Sequence, residues 1–351
     1  MNGLRARMRR NLRGAVDSAN KGGRRSWGAR ATPPSWDFSR ELGPKEFASE
    51  RGAVTERLYA RLDPADIAEV ERRTAEAPEL SGANLGDADP ASFRFLVLSY
   101  GIWLDVPGVA EKTGLVRGQP PAEVHAMTRG PDAAAGGLYE ADLLVEALAS
   151  AGLDIEVIES GLDFGCSSGR VVRTLAAAYP SVSWRGCDPN EPAITWAQQN
   201  LPGIGFFVSP QHPPLPLSEG SLDLVYAVSV WSHFAPGLGL RWFEEMHRLI
   251  RPGGHLVFTT HGLQSIAVHS AAGFRSPDKA LEITHSLYAS GAWYAPEFGA
   301  AGDWGVADPE WGTSFLSPEW VLTKLCPSWR VLEFAPGRNQ GFQDVYVLQR
   351  A

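Results

Sequence analysis

Leu162-Asp163-Phe164-Gly165-Cys166-Ser167-Ser168-Gly169-Arg170, continued by Val171-Val172-Arg173-Thr174-Leu175, reads as a strand, a small-residue turn and a helix. Glycines at 165 and 169 let a ligand approach the backbone, and the first turn of the helix offers unpaired N–H groups. No Gly-Lys-Ser/Thr follows, so this is not a nucleotide P-loop, and the G-x-G-x-x-G of pyrophosphate binders is also absent. Alone, such a turn is equally at home as plain scaffolding.

Its surroundings add weight. Trp184-Arg185-Gly186-Cys187-Asp188-Pro189-Asn190 places Asp188 at the end of a second apolar run, 25 positions after Asp163. A carboxylate there can accept from both hydroxyls of a ribose, or can cap the helix that begins near Glu191. The third segment runs from Leu215 to Ala227 and on through Val228-Ser229-Val230-Trp231-Ser232-His233-Phe234. The fourth is a helix with Trp242, Phe243, Met246, Leu249 and Ile250 on one face. Pro252-Gly253-Gly254 ends it and opens the run His255–Thr260. Apolar runs at 158–164, 182–187, 204–208, 222–229 and 254–260 alternate with helical periods, which predicts a layered α/β domain with a mainly parallel sheet. Ligands in such sheets bind at the carboxyl ends of the strands.

In this order and spacing the four segments resemble the class I S-adenosylmethionine-dependent methyltransferases, over roughly residues 155–350. The resemblance implies a Rossmann-like fold with a seven-stranded, mostly parallel sheet. A closing β-hairpin at 329–334 and 343–348 and an N-terminal helical extension complete it. It implies S-adenosyl-L-methionine as cofactor and no metal. Asp163, Gly165, Ser167 and Gly169 would follow the methionine and ribose part, with Cys166 and Pro189 beside them. Asp188 would hold the ribose hydroxyls, Gln211 would face the adenine amino group, and Ser229 would line the methyl-transfer face. Two positions depart from the pattern: Ser167 stands where a glycine is usual, and Gln211 where an acid is usual. The competing readings are another dinucleotide-type enzyme, such as an oxidoreductase, and a non-catalytic partner that keeps the fold.

The acceptor expected from this reading is a hydroxyl of a small molecule or saccharide, and an oxygen acceptor benefits from a general base. His233 and His261 follow the fourth and fifth strands and are the candidates. The acceptor pocket is expected from residues 90–150 and from 262–311, where Tyr288, Trp293, Tyr294, Phe298, Trp304 and Trp311 interleave with Gly and Pro. That stretch suits a lid stacking on a ring, or equally the packed core of an insert.

The chain has 351 residues, 44% apolar and 21% charged, an ordinary globular composition. Three scattered cysteines form neither a disulfide framework nor a zinc motif, so a cytoplasmic location is expected. The net charge of −8 hides a basic start: residues 1–30 carry nine basic residues and one acid, leaving an acidic body. An acidic body argues against duplex nucleic acid as substrate. In the arm, Leu4, Met8, Leu12 and Val16 would form a short basic amphipathic stripe. It could touch anionic lipid or an acidic partner, but a solvated terminus is favoured, since four apolar residues bury little area. Arg9-Arg10 precedes no apolar stretch, so export is not expected. The expected organisation is a basic arm and linker over 1–45, a helical region or lid over 46–150, and the methyltransferase domain over 151–351.

Overall fold

The computed structural model describes residues 52–80, 85–297 and 306–351. The basic arm therefore lies outside the described residues, as do Phe298 and Trp304. Helices come first: α1 (Ala53–Tyr59), α2 (Pro64–Glu76), α3 (Pro90–Trp103), α4 (Pro107–Thr113) and α5 (Pro131–Ser150). Strand β1 (Ser160–Phe164), helix α6 (Arg170–Ala178), β2 (Ser183–Asp188), α7 (Glu191–Asn200), β3 (Gly205–Val208) and β4 (Leu222–Ala227) follow. After them come α8 (Pro236–Leu249), β5 (Ile250–Thr260), α9 (Leu263–Ala271), α10 (Pro277–Ser290), β6 (Ala292–Ala295) and β7 (Thr313–Leu316). The chain closes with α11 (Pro318–Leu325), β8 (Trp329–Asn339) and β9 (Gln343–Arg350). Among the described residues no single helix is long and apolar enough to cross a membrane.

The seven-stranded sheet has the order β3-β2-β1-β4-β5-β9-β8. Pairs from β3 to β5 are parallel, and β9 joins β5 antiparallel, with β8 outside it. Crossovers leave β1 in opposite directions, so the carboxyl ends of β1 and β4 open a crevice there. Asp163 pairs across β1–β4 with Tyr226, and Asp188 pairs with Val208 at the edge. A second antiparallel sheet, β6-β7, belongs to the insert after β5.

Two apolar clusters cover the two sheet faces. One joins Val54 and Leu58 of α1 with Leu138 and Leu148 of α5 and Val172 and Leu175 of α6. The other joins Phe164 with Trp231, Trp242, Phe243 and Met246, and extends to Val321 and Tyr346. Buried Asp142 on α5 ties α1 down, accepting from Val54 N (2.7 Å), Thr55 N (3.1 Å) and Thr55 Oγ1 (2.6 Å).

Local sequence explains where several elements begin and end. Helix α5 starts at Pro131, within the stretch expected to be helical. Its first turns are Ala and Gly, which carry no apolar period, and they serve close packing: a Cβ on Gly137 would sit 3.0 Å from the Arg170 carbonyl oxygen. The run expected to continue to Ser229 stops at Ala227, because Ser229 turns left-handed at φ +62°. The insert is a folded unit with its own small core of Ile266, Ile283, Leu287, Trp293 and Phe315. Trp293 is therefore core, whereas Tyr288 is 78% exposed.

Candidate active site

The crevice holds about 1350 Å³ of empty space, its open mouth included. Asp163, Gly165, Cys166, Ser167, Asp188, Pro189, Gln211, Ser229 and His233 all line it. Gly169 and His261 are not in its wall.

The turn after β1 is fixed by the end of β2. Gly165 N and Cys166 N both donate to the Cys187 carbonyl, at 2.9 and 3.0 Å. Asp188 then receives two more backbone donors, from Ser167 N and Asn190 N, each at 2.8 Å. Ser167 occupies the left-handed region at φ +49°, a conformation more costly for serine than for glycine, and the Asp188 carboxylate holds it there. Asp188 is not the cap of α7; Asn190 performs that task by accepting from Ala193 N. With two lone-pair sites used on backbone, Asp188 keeps acceptor capacity for a ligand.

Gly165 matters for the protein's own packing. Its φ is +83°, and a Cβ there would lie 2.5 Å from Val230 Cγ2. The expectation that this glycine only makes way for a ligand is therefore incomplete. Gly165→Val is expected to destabilise the fold by about 2–5 kcal/mol, from left-handed strain plus overpacking. Thermal unfolding checks this. A variant that melts like the parent protein and loses only ligand binding would restore the simpler reading. Gly169, at φ +79°, starts α6 rather than facing the cavity.

Asp163 is 4% exposed, and its Oδ2 is buried without a well-formed hydrogen bond. Burial pushes its carboxyl up to about 8; the Tyr226 hydroxyl and Arg170 pull it down, while Glu140 and Asp188 push it further up. Burial also raises Asp188, against the pull of the Asn190 and Ser167 N–H groups. Burial raises the thiols of Cys166 and Cys187 well above the ordinary value, which disfavours the thiolate.

Ser229, after β4, is held by two strands, β5 and β9. Its N–H donates to Thr259 Oγ1 (2.7 Å) and its hydroxyl accepts from Gln343 Nε2 (2.7 Å). Thr259 Oγ1 in turn donates to Gln343 Oε1 (2.6 Å), and Gln343 Nε2 also reaches Ser232 Oγ at 3.4 Å. Gln343 thus links β9 to the ends of β4 and β5. The sequence reading had placed it only in a closing hairpin.

The two histidines part company. His233 Nδ1 lies 2.9 Å from the Gly312 carbonyl, which can only accept, so the proton sits on Nδ1 and Nε2 is the basic nitrogen. Its ring stacks on Trp311 with centroids 5.5 Å apart. Burial lowers its pKa to about 4, against the pull of the Gly312 carbonyl. His261 Nδ1 meets the Ser314 carbonyl at 3.0 Å, and its ring packs on His269 (4.7 Å) and Phe315 (4.9 Å). The bridge His261↔Phe315 lays the insert over it, away from the cavity. Burial holds its pKa well below the ordinary value, helped by neighbouring His269 and His233.

Sequence reasoning did not single out several lining residues: Gln119, His125 and Thr128 before α5, Glu140 on α5, Arg170 and Arg173 on α6, and Asp308 of the insert. Arg170 pairs with Glu140 at 2.7 Å, and Arg173 donates to the Gly118 carbonyl at 2.6 Å. Arg170 follows the glycine turn directly, which was a usable signal.

The site suits S-adenosylmethionine. That molecule brings ribose hydroxyls as donors and a cationic sulfonium and ammonium. The cavity is lined by the carboxyl groups of Asp188 and Asp163. A dinucleotide would instead carry its pyrophosphate past Asp163, Asp188 and Glu140.

Comparison with known proteins agrees. Residues 162–254 match the family described as "Methyltransferase domain". A Streptomyces fradiae protein, the "uncharacterized 37.1 kDa protein in transposon TN4556", is 35% identical over 121 residues, covering 33% of this chain and 34% of that protein. Phthiotriol/phenolphthiotriol dimycocerosates methyltransferase 1 of Mycobacterium ulcerans is 34% identical over 100 residues, covering 28% of this chain and 36% of that protein. An S-adenosylmethionine dependent methyltransferase of known structure from Mesorhizobium loti is 18% identical, with a TM-score of 0.39, over 58% of this chain and 96% of that chain. The matches to the two curated relatives span about a third of their length. The strand order and the family match together identify a class I S-adenosylmethionine-dependent methyltransferase domain in this chain.

Proposed function

We propose that the protein is an S-adenosylmethionine-dependent methyltransferase acting on a hydroxyl of a small molecule or saccharide. The observation that carries this is the set of side chains brought together in one cavity. Asp163 and Asp188, at the ends of β1 and β2, and His233, after β4, line the same cavity. S-adenosylmethionine, when bound, supplies an activated methyl group. Asp188 accepts from the ribose, and Asp163 faces the cationic part. The walls align the hydroxyl oxygen behind the methyl carbon and exclude water. A carbon–oxygen bond forms as the carbon–sulfur bond breaks, and His233 Nε2 takes the hydroxyl proton. The products are a methyl ether and S-adenosylhomocysteine.

Calorimetry with S-adenosylmethionine, S-adenosylhomocysteine and NAD tests the reading. The first two are expected to bind and NAD is not. Asp163 also makes binding pH-dependent. In the free protein at pH 7 its carboxyl is protonated, because its pKa is about 8. A cationic ligand favours the ionised form, so binding releases up to one proton. Affinity for S-adenosylmethionine is then expected to rise with pH, by up to about tenfold per unit, and to level off above about 8. At pH 7 the apparent binding enthalpy should differ between Tris and phosphate by the difference in buffer ionisation enthalpy. Equal enthalpies would remove Asp163 from this role, and preferential NAD binding would favour an oxidoreductase.

A further inference from the structure

Ser167 and Ser229 line the cavity and carry left-handed backbone without being glycine, at φ +49° and +62°. Such strain persists only where the surroundings impose it. For Ser167 the agent is the Asp188 carboxylate. For Ser229 it is a side chain 114 positions further along the chain, the amide of Gln343 on β9. This amide is buried, and all four of its bonding positions are filled. Nε2 donates to Ser229 Oγ (2.7 Å) and to Ser232 Oγ (3.4 Å). Oε1 accepts from Thr259 Oγ1 (2.6 Å) and from Asn339 Nδ2 (3.2 Å). Thr259 Oγ1 accepts from Ser229 N–H, so its own proton goes to Gln343 Oε1, and this fixes which way the amide points. Ser232 and Thr259 are fully buried. An apolar side chain of similar size would fill the same space but leave these hydroxyls short of partners, which is costly.

The turn after Ser229 leads to His233, and the insert holds its far end. Ser314 N donates to the Ser232 carbonyl (2.8 Å), Gly312 N to the His233 carbonyl (2.7 Å), and His233 N to the Val230 carbonyl (2.9 Å). The His233 Nδ1 bond to the Gly312 carbonyl, at 2.9 Å, depends on that placement. Gln343 holds the near end through Ser229 and the middle through Ser232. We propose that Gln343 is a positioning residue for methyl transfer: its amide sets the turn that aims His233. This rests on the reading of His233 as the base and adds the group that keeps the proton off its Nε2. Without the amide, Ser229 loses one of its two ties and relaxes toward the backbone regions a serine prefers. The turn then shifts, the Nδ1 bond to Gly312 loosens, and the tautomer is no longer fixed. An imidazole with its proton on Nε2 cannot accept the hydroxyl proton there.

The test uses the full chain with isotopically labelled histidine, read by nitrogen NMR at about pH 7.5, where imidazole is mostly neutral. His233→Gln assigns the resonances. In the parent protein the two His233 ring nitrogens are expected at the well-separated positions of a single Nδ1–H tautomer. Gln343→Met keeps the length of the side chain and removes its hydrogen bonds. It is expected to draw the two signals together, toward the average of a tautomer mixture, with S-adenosylhomocysteine affinity by calorimetry nearly unchanged. Ser229→Ala removes only the hydroxyl that Gln343 holds. It is expected to move the signals the same way, and it decides the matter if Gln343→Met does not fold. Adding Ser229→Gly to Gln343→Met is expected to return the signals to their parent positions, because glycine adopts left-handed backbone unaided. A lower melting temperature with unmoved His233 signals would make the network a structural tie only and overturn the proposal. Signals that stay displaced in the glycine double variant would overturn it as well. Failure of S-adenosylhomocysteine to bind the parent protein would strike the methyltransferase reading itself, a separate result from unmoved His233 signals.

Discussion

Asp188→Ala is expected to weaken S-adenosylhomocysteine binding by about 10- to 150-fold, the equivalent of about 1.5–3 kcal/mol for hydrogen bonds to a charged group. The upper part of that range is favoured by what else the carboxylate does. It holds Ser167 N and Asn190 N, each at 2.8 Å, and Ser167 is in a left-handed conformation that a serine does not choose unaided. Removing Asp188 would therefore take away the proposed ribose acceptor and loosen the turn after β1. Asp188→Asn separates charge from shape. Its amide offers one oxygen and one NH₂, so one of the two backbone N–H groups would face a donor. Asn is accordingly expected to bind only slightly better than Ala. Calorimetry on both variants, with thermal unfolding as the fold control, decides the matter. A folded Asp188→Ala protein that binds as tightly as the parent would show that the ribose lies elsewhere.

The strand-end acids were legible because their signal is local. A short apolar run, an acid and a small-residue turn lie within ten positions, and a parallel sheet gives such a segment one place to go. The same locality explains what stayed open. Asp188 could be a cap, a ligand or both, and that Asn190 takes the cap is a matter of side-chain direction. His233 and His261 looked alike, since both follow strands. They differ because Phe315, 54 positions beyond His261, bridges to it and lays the insert over it. Nothing near His261 encodes that. Trp242 was read correctly as part of an apolar helix face, and it does pack among Phe164, Phe234 and Phe243. Periodicity reports which face is buried. It cannot report which side chains of that face also line a cavity. Gln343 is a similar case: its hydrogen bonds to Thr259 and Ser229 span 84 and 114 positions, so the strand was visible and the link to Ser229 was not.

The largest kinetic effect is expected at His233. His233→Ala should lower kcat by about 10²–10⁴-fold, the usual worth of a positioned base, with S-adenosylhomocysteine affinity nearly unchanged. The lower end of that range is favoured, because a pKa of about 4 makes the imidazole a weak proton acceptor. The pH dependence carries the sharper test. The base works when neutral, so its contribution falls as pH falls through the folded-state pKa. For an ordinary imidazole that limb would centre near 6.5. Burial moves it to about 4, so between pH 5 and 8 the rate should show no limb from His233. A second contribution in that window has the opposite origin: Asp163 ionises near pH 8 and acts on cofactor binding, so it should appear in KM for S-adenosylmethionine rather than in kcat at saturation. His261→Ala should leave the acid limb where it is. Its cost should appear in thermal stability, since a buried ring packed on His269 and Phe315 is replaced by a cavity. Turnover of both variants with an accepted hydroxyl substrate, across pH 3.5 to 9, separates these outcomes. A limb near 6.5 in the parent protein, absent from His233→Ala, would keep the base and refute its buried environment. Unchanged turnover and pH profile in both variants would remove histidine from the reaction and leave alignment of the oxygen as the source of the rate.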